Sequence, residues 1–252
     1  WICTYYRGIE YLDITSGQFT HYNKNTVPGL PCEQTWTVLD GGDGNLYIGH
    51  VGSGFSILSL KDKSVKNFRN EAGNPMSLPG NDVFCIIKDT NGNIWLGTNK
   101  GLALYNAANE NFITFKKNKN DKYDTLCSRI LSIRQLKDNK LWIASELNGI
   151  AILNLKQSMF LSPEEISLEY IQEGDDSRSL SNASARCIFQ DSFDNIWIGT
   201  WGGGINFISS KSPLFTTLSY SPIPNNENSL NNKVASSLCM DRQGRVWIGT
   251  DG

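Results

Sequence analysis

The chain has 252 residues, of which 39% are hydrophobic and 11% aromatic, so it carries enough apolar material to bury a sizeable core. A formal net charge of −2 excludes the basic footprint of a nucleic-acid binder. No apolar run approaches the roughly 20 residues that span a bilayer, so any membrane attachment is expected through a segment outside this stretch.

Few segments show a 3.6-residue apolar period. Short runs of Ile, Val, Leu, Phe, Tyr and Trp alternate with Gly, Asn and Asp clusters instead, which predicts an all-β fold. In chain order, Trp1-Ile-Cys-Thr4 is the shortened form of a segment that returns as Leu46-Tyr-Ile-Gly-His50, Ile94-Trp-Leu-Gly-Thr98, Leu141-Trp-Ile-Ala-Ser145, Ile196-Trp-Ile-Gly-Thr200 and Val246-Trp-Ile-Gly-Thr250. The aromatic anchors Trp1, Tyr47, Trp95, Trp142, Trp197 and Trp247 are 46, 48, 47, 55 and 50 residues apart. A second anchor keeps step with them. Leu30, Leu78, Leu126, Leu180 and Leu230 precede their aromatic partners by 17, 17, 16, 17 and 17 residues.

Each repeat resolves into four strands, which in the best-formed copy are Val83–Lys88, Ile94–Thr98, Gly101–Asn106 and Asn111–Lys116. The turn Asp89-Thr-Asn-Gly-Asn93 joins the first two, with Asn and Gly available for the positive φ of a tight hairpin. Equivalent turns begin at Asp40, Asp191 and Asp241, and a weaker one spans 137–140. Four short antiparallel strands every ~45–50 residues is the pattern of a β-propeller blade. Neighbouring blades must then cover each other's apolar faces, and the anchor tryptophans are expected in that packing. The residues 157–165, with Pro163 and Glu164-Glu165, read as an elongated loop between third and fourth strands. Residues 1–252 therefore read as one incomplete β-propeller of about five blades. Both ends fall in a second strand, so an excerpt of a longer array, of about seven blades, is expected.

The consensus, roughly Leu-x-x-Asn-x-Val-x-x-Ile-x-x-Asp-x-x-Gly-Asn-Ile-Trp-Ile-Gly-Thr-x-x-Gly-Gly-Leu, resembles the two-component regulator propeller repeats. It is best seen over 78–106, 180–208 and 230–252. Tyr47, Ala144-Ser145 and the missing Asp-Gly pair before Trp142 depart from it and loosen individual blades. The resemblance implies the periplasmic sensor region of a hybrid histidine kinase of Bacteroides-type bacteria. It further implies a dimeric sensor, a single membrane helix, a cytoplasmic output domain and, as the signal, an oligosaccharide.

Candidate chemistry is sparse. Cys3, Cys32, Cys85, Cys127, Cys187 and Cys239 include no Cys-x-x-Cys pair, and with two histidines a metal site is not expected. Cys85 and Cys187 occupy the same place in non-adjacent blades, so most cysteines read as small buried apolar residues, with one bridge left open. Asp40-Gly-Gly-Asp-Gly-Asn45 has the carboxylate spacing of a calcium loop but lacks its bidentate Glu, and a hairpin is the better reading. Asn182-Ala-Ser184 fits a glycosylation triplet that a bacterial sensor would not use. Glu164-Glu165 and Asp175-Asp176 read as solvated charges rather than acid–base pairs. No catalytic residue, cofactor or metal is predicted, and the chain is not expected to be an enzyme. A protein-docking propeller is the main alternative to ligand sensing, and a propeller lyase or hydrolase is a more distant one.

Ligand contacts are expected on the face where the loop after strand two and the connection entering strand one emerge. Those segments carry His50, Asn99, Lys100, Glu146, Asn148, Arg129 and Arg186. Trp201 is foremost. It stands where other repeats place Val51, Asn99, Glu146 and Asp251, so the repeat does not require it, and Gly202–Gly204 leave it room.

Overall fold

The computed structural model describes residues 1–115, 122–155, 166–212, 214–218 and 226–251. The chain divides into two compact units, Trp1–Phe115 and Lys116–Gly252. In the first, β1 (Ile2–Thr4), β2 (Gly8–Leu12) and β3 (Phe19–Tyr22) form a three-stranded sheet. A four-stranded sheet follows from β4 (Thr35–Asp40), β5 (Asn45–His50), β6 (Phe55–Ser59) and β7 (Val65–Phe68), and another from β8 (Val83–Lys88), β9 (Ile94–Thr98), β10 (Gly101–Asn106) and β11 (Asn111–Thr114). In the second unit, β12 (Ile130–Gln135), β13 (Lys140–Ser145), β14 (Ile150–Asn154) and β15 (Leu168–Ile171) form one sheet. The next comprises β16 (Ala185–Gln190), β17 (Ile196–Thr200), β18 (Ile205–Ile208) and β19 (Phe215–Leu218), and β20 (Ala235–Met240) pairs with β21 (Val246–Thr250). Every sheet is an antiparallel meander, so the repeats are propeller blades. Strand β11 ends two residues before the expected Lys116, and the 157–165 segment lies outside the described residues between β14 and β15.

The recurring Asp does more than start a turn. Asp89 Oδ1 accepts the N–H groups of Asn91 and Asn93, both at 2.9 Å, while Oδ2 accepts the Trp95 indole N–H at 2.9 Å. Asp191 does the same for Phe193, Asn195 and Trp197, and Asp241 for Gln243, Arg245 and Trp247. One carboxylate thus closes the hairpin and satisfies the anchor indole six residues on. The third residue after this position takes the left-handed conformation, as Gly92 (φ 87°), Asp194 (66°) and Gly244 (79°). At 136 the repeat has Leu instead of Asp. Asn139 still supplies the positive φ, at 64°, but the buried Trp142 Nε1 has no hydrogen-bond partner among the described residues. In the 40–45 hairpin Asp40 accepts from Gly42, and Asp43 accepts from Asn45 and the Tyr47 hydroxyl. Those carboxylates are spent on a turn, as expected of a hairpin.

The Thr of the repeat also has a physical role. Buried Thr98 Oγ1 donates to Gly101 O and accepts the Lys100 N–H; Thr200 and Ser145 pin their turns in the same way. Ser145 therefore keeps the one group the position needs. His50 is the departure, discussed below. The Gly of the repeat lets the next blade approach: a Cβ at Gly199 would lie 2.5 Å from Ala235 O, and one at Gly49 2.8 Å from Val83 O.

Within each unit the core lies between blades. Ile9 and Tyr22 pack on Leu46, Ile48 and Leu58, while Tyr47 and Phe55 pack on Ile86, Leu96 and Phe112. In the second unit Trp142, Ile150 and Ile152 meet Ile188 and Ile198. Leu30, Leu78 and Leu180 belong to these three clusters, which explains the second anchor. Full burial of each such side chain stabilises by about 1.5–3 kcal/mol relative to exposure. Anchor burial is uneven, however. Trp95 and Trp142 are buried, Trp197 is half-buried, and Trp247 in the two-stranded sheet is 56% exposed.

None of the six cysteines forms a disulfide, which closes the one bridge left open. They are less buried than their reading as small core residues supposed: five are half-buried and Cys239 is exposed. Local burial nevertheless pushes the Cys3 and Cys187 thiols up to about 11, which holds them protonated.

Candidate functional site

Each first strand opens with a β-bulge whose extra residue is Trp36, Phe84, Leu131, Arg186 or Ser236. Bulges re-aim one side chain out of the sheet's alternation. Beside the bulge, the residue after strand two donates its N–H to the connection entering strand one. The pairs are Val51 to Gln34, Asn99 to Asp82, Glu146 to Arg129, Trp201 to Ser184 and Asp251 to Val234. This shared bond makes Trp201 and Glu146 equivalent positions in two blades and joins the two loop sets that the sequence placed on one face.

In the second unit these positions converge. The Arg186 guanidinium lies over the Trp201 indole, 4.0 Å from the ring centroid, a contact worth roughly 0.5–1 kcal/mol at a half-exposed site. Arg129 Nη1 is 3.3 Å from both carboxylate oxygens of Glu146, and Arg186 Nη2 is 3.8 Å from Glu146 Oε1. Burial holds Arg186 below the usual guanidinium range. Glu146 opposes that shift, Arg129 adds to it and Asp251 opposes it again. Arginine nevertheless stays charged in proteins. A cleft of about 420 Å³ opens here, lined among others by Glu146, Leu147, Glu173, Ser184, Arg186 and Trp201. Trp201 is 46% exposed. A stacking ring beside fixed charges and hydroxyl-sized donors suits a polar ligand with an apolar face.

Four of the eight candidate residues are thus assembled, namely Trp201, Arg186, Glu146 and Arg129. Asn148 is adjacent but serves its turn: its N–H goes to Ser145 Oγ, and its carbonyl accepts from Thr125 and Gln172. The other three lie in the first unit. Asn99 Oδ1 accepts the Asp82 N–H at 3.3 Å, and Lys100 is exposed. His50 is fully buried and uses both ring nitrogens internally, with Cys32 Sγ at 3.4 Å from Nδ1 and Ser56 Oγ at 2.8 Å from Nε2. It occupies the place of the turn-pinning Thr, so its side chain belongs to the blade interior.

Sequence reasoning missed Glu173, Leu147 and Ser184, the last visible only as the end of an Asn-x-Ser triplet. It also missed Trp36. Of the seven tryptophans, Trp36 and Trp201 alone fall outside the anchor series, and both are exposed, Trp36 at 51%. Being off the repeat was the signal.

Comparison with known proteins agrees with this architecture. The two-component regulator propeller model matches residues 77–100, 179–202 and 229–252. The extracellular domain of a hybrid two-component system from B. thetaiotaomicron is 60% identical over the whole chain, which covers 30% of that structure, with a TM-score of 0.70. A second such extracellular domain from B. thetaiotaomicron shares the fold at 17% identity and a TM-score of 0.73, over 98% of this chain and 31% of its own length. A histidine kinase of Formosa agariphila is 33% identical over 94 residues, 35% of this chain and 7% of the kinase. The chain thus spans less than a third of the length of each of these three relatives. Blade architecture, the Asp–indole bond and these matches lead to one conclusion: the chain contains two-component regulator propeller repeats, at 77–100, 179–202 and 229–252.

Proposed function

We propose that this chain is part of the extracytoplasmic sensor region of a hybrid two-component regulator and that the Trp201 cleft contacts an oligosaccharide. The observation that carries the reading is the exposed Trp201 indole, absent from the equivalent position of every other repeat, held beside Arg186 and Glu146 in an open cleft. Sugars present C–H faces to aromatic rings and hydroxyls to planar polar groups, and the cleft offers both. The extracellular relatives from two-component systems support the setting. No step of chemistry is assigned to this chain. Periplasmic exposure, a homodimer, membrane anchorage and kinase output belong to the same proposal, through parts of the protein beyond this stretch. The ligand would favour one arrangement of the sensor dimer, and its differential affinity for the two arrangements is the energy available for signalling.

Calorimetric titration of the full-length protein against a panel of plant and host oligosaccharides tests the site. Trp201→Ala is expected to weaken binding by about tenfold or more, in line with the loss of a stacking aromatic. The melting temperature should hold, because the Trp201 main-chain bond to Ser184 is retained. Unchanged affinity would remove Trp201 from the site.

A further inference from the structure

The polar atoms around the cleft divide into those already paired and those still open. Glu146 is held by Arg129, Glu173 Oε2 accepts the Ala183 N–H at 2.8 Å, and Asn182 Oδ1 accepts the Ser184 N–H at 3.0 Å. Two buried lining atoms, Ser184 Oγ and Arg186 Nε, have no hydrogen-bond partner among the described residues. Ser184 is only 6% exposed. Buried polar groups in native proteins are almost always paired, so two orphans in one cleft wall are informative. Arg186 Nε can only donate, and the Ser184 hydroxyl is free to donate, so the missing partner is an acceptor. The Arg186 contact to Glu146 is long, at 3.8 Å, whereas Arg129 approaches both Glu146 oxygens at 3.3 Å. Glu146 is therefore more closely matched to Arg129, and Arg186 keeps unspent capacity for an anion.

We propose that the cleft recognises an acidic oligosaccharide, taking a sugar carboxylate between Ser184 Oγ and Arg186 while the sugar ring stacks on Trp201. This rests on the reading of the cleft as the ligand site. A carboxylate matches a guanidinium in charge and in planar geometry, and charge-assisted bonds are roughly twice as strong as neutral ones. Glu146 and Glu173 line the same cleft and disfavour a doubly charged group such as a phosphate monoester. Arg186 Nε is closed to solvent beneath its surroundings, with the indole over the guanidinium. Entry of the carboxylate is therefore expected to shift the indole, and binding should change tryptophan fluorescence.

The test titrates the full-length protein with uronate-containing oligosaccharides from plant and host polysaccharides and with their carboxyl-reduced counterparts. The acids are expected to bind at least about tenfold more tightly than the reduced sugars. Arg186→Gln should abolish that preference, and Ser184→Ala, which removes one oxygen and little volume, should weaken acid binding severalfold at an unchanged melting temperature. Equal affinity for acids and reduced sugars, with Trp201→Ala weakening both, would overturn the acidic preference and leave the cleft as a neutral-sugar site. A preference that survives in both Arg186→Gln and Ser184→Ala would overturn it too. Absence of binding by either set would remove the cleft reading together with the preference.

Discussion

Asp89→Ala is expected to destabilise its blade by about 3 kcal/mol, a large effect for one turn residue. The carboxylate accepts from two turn amides and the Trp95 indole, and Asp89 and Trp95 are both buried. Alanine leaves the buried Trp95 indole N–H without its acceptor and undoes two part-buried turn bonds, and the stranded indole costs more than its bond itself contributes. The blade at Trp142 shows how the parts separate. There Leu136 packs in the core, the turn is closed by backbone bonds and Asn139, and the cost is one orphaned indole N–H. A double-mutant cycle of Asp89→Ala with Trp95→Phe should isolate a coupling of about 1.5 kcal/mol in denaturant melts. A coupling near zero would show that Asp89 acts through the turn alone.

His50 should make stability depend on pH. Burial pushes its imidazole down to about 4, against about 6.5 when unfolded. Between those values the unfolded chain binds the extra proton, so stability is full above about pH 6.5 and falls as pH drops toward about 4. The loss reaches about 3 kcal/mol at most. Acidification further, through the range of ordinary carboxyls, brings a second loss. The Asp241 carboxyl is held low, chiefly by the Trp247 indole bond; for Asp191, burial acts upward but is outweighed by the Trp197 and Asn195 bonds. Replacing His50 with Thr, the residue the repeat uses at Thr98 and Thr200, should flatten the first window and leave the second. Identical melting profiles for the two proteins between pH 4 and 6.5 would refute this account of the imidazole.

The blades were legible because their grammar is local. Strands β8, β9 and β10 have the bounds read from alternation, and the turn residues supplied positive φ at the expected hairpins. What the sequence concealed were relations between atoms not adjacent in the pattern. An Asp six residues before a Trp reads as a turn until the indole is seen folded back on it. A His in place of a Thr reads as an exposed loop group until the hydroxyl it replaces is seen to be buried. Bulges are invisible in alternation, although Arg186 owes its place to one. Trp201 was found because it broke the repeat. Trp36 breaks it too and was overlooked, because it falls inside a strand rather than after one.

The central claim is that repeat-conforming residues build the platform while Trp201, Arg186 and Ser184 meet the ligand. Hydrogen–deuterium exchange on the full-length protein, with and without a bound oligosaccharide, tests it most directly. The account predicts slowed exchange at amides 182–186 and 199–204, with the 89–95 turn unchanged. Slowed exchange confined to other segments, with binding established, would contradict it.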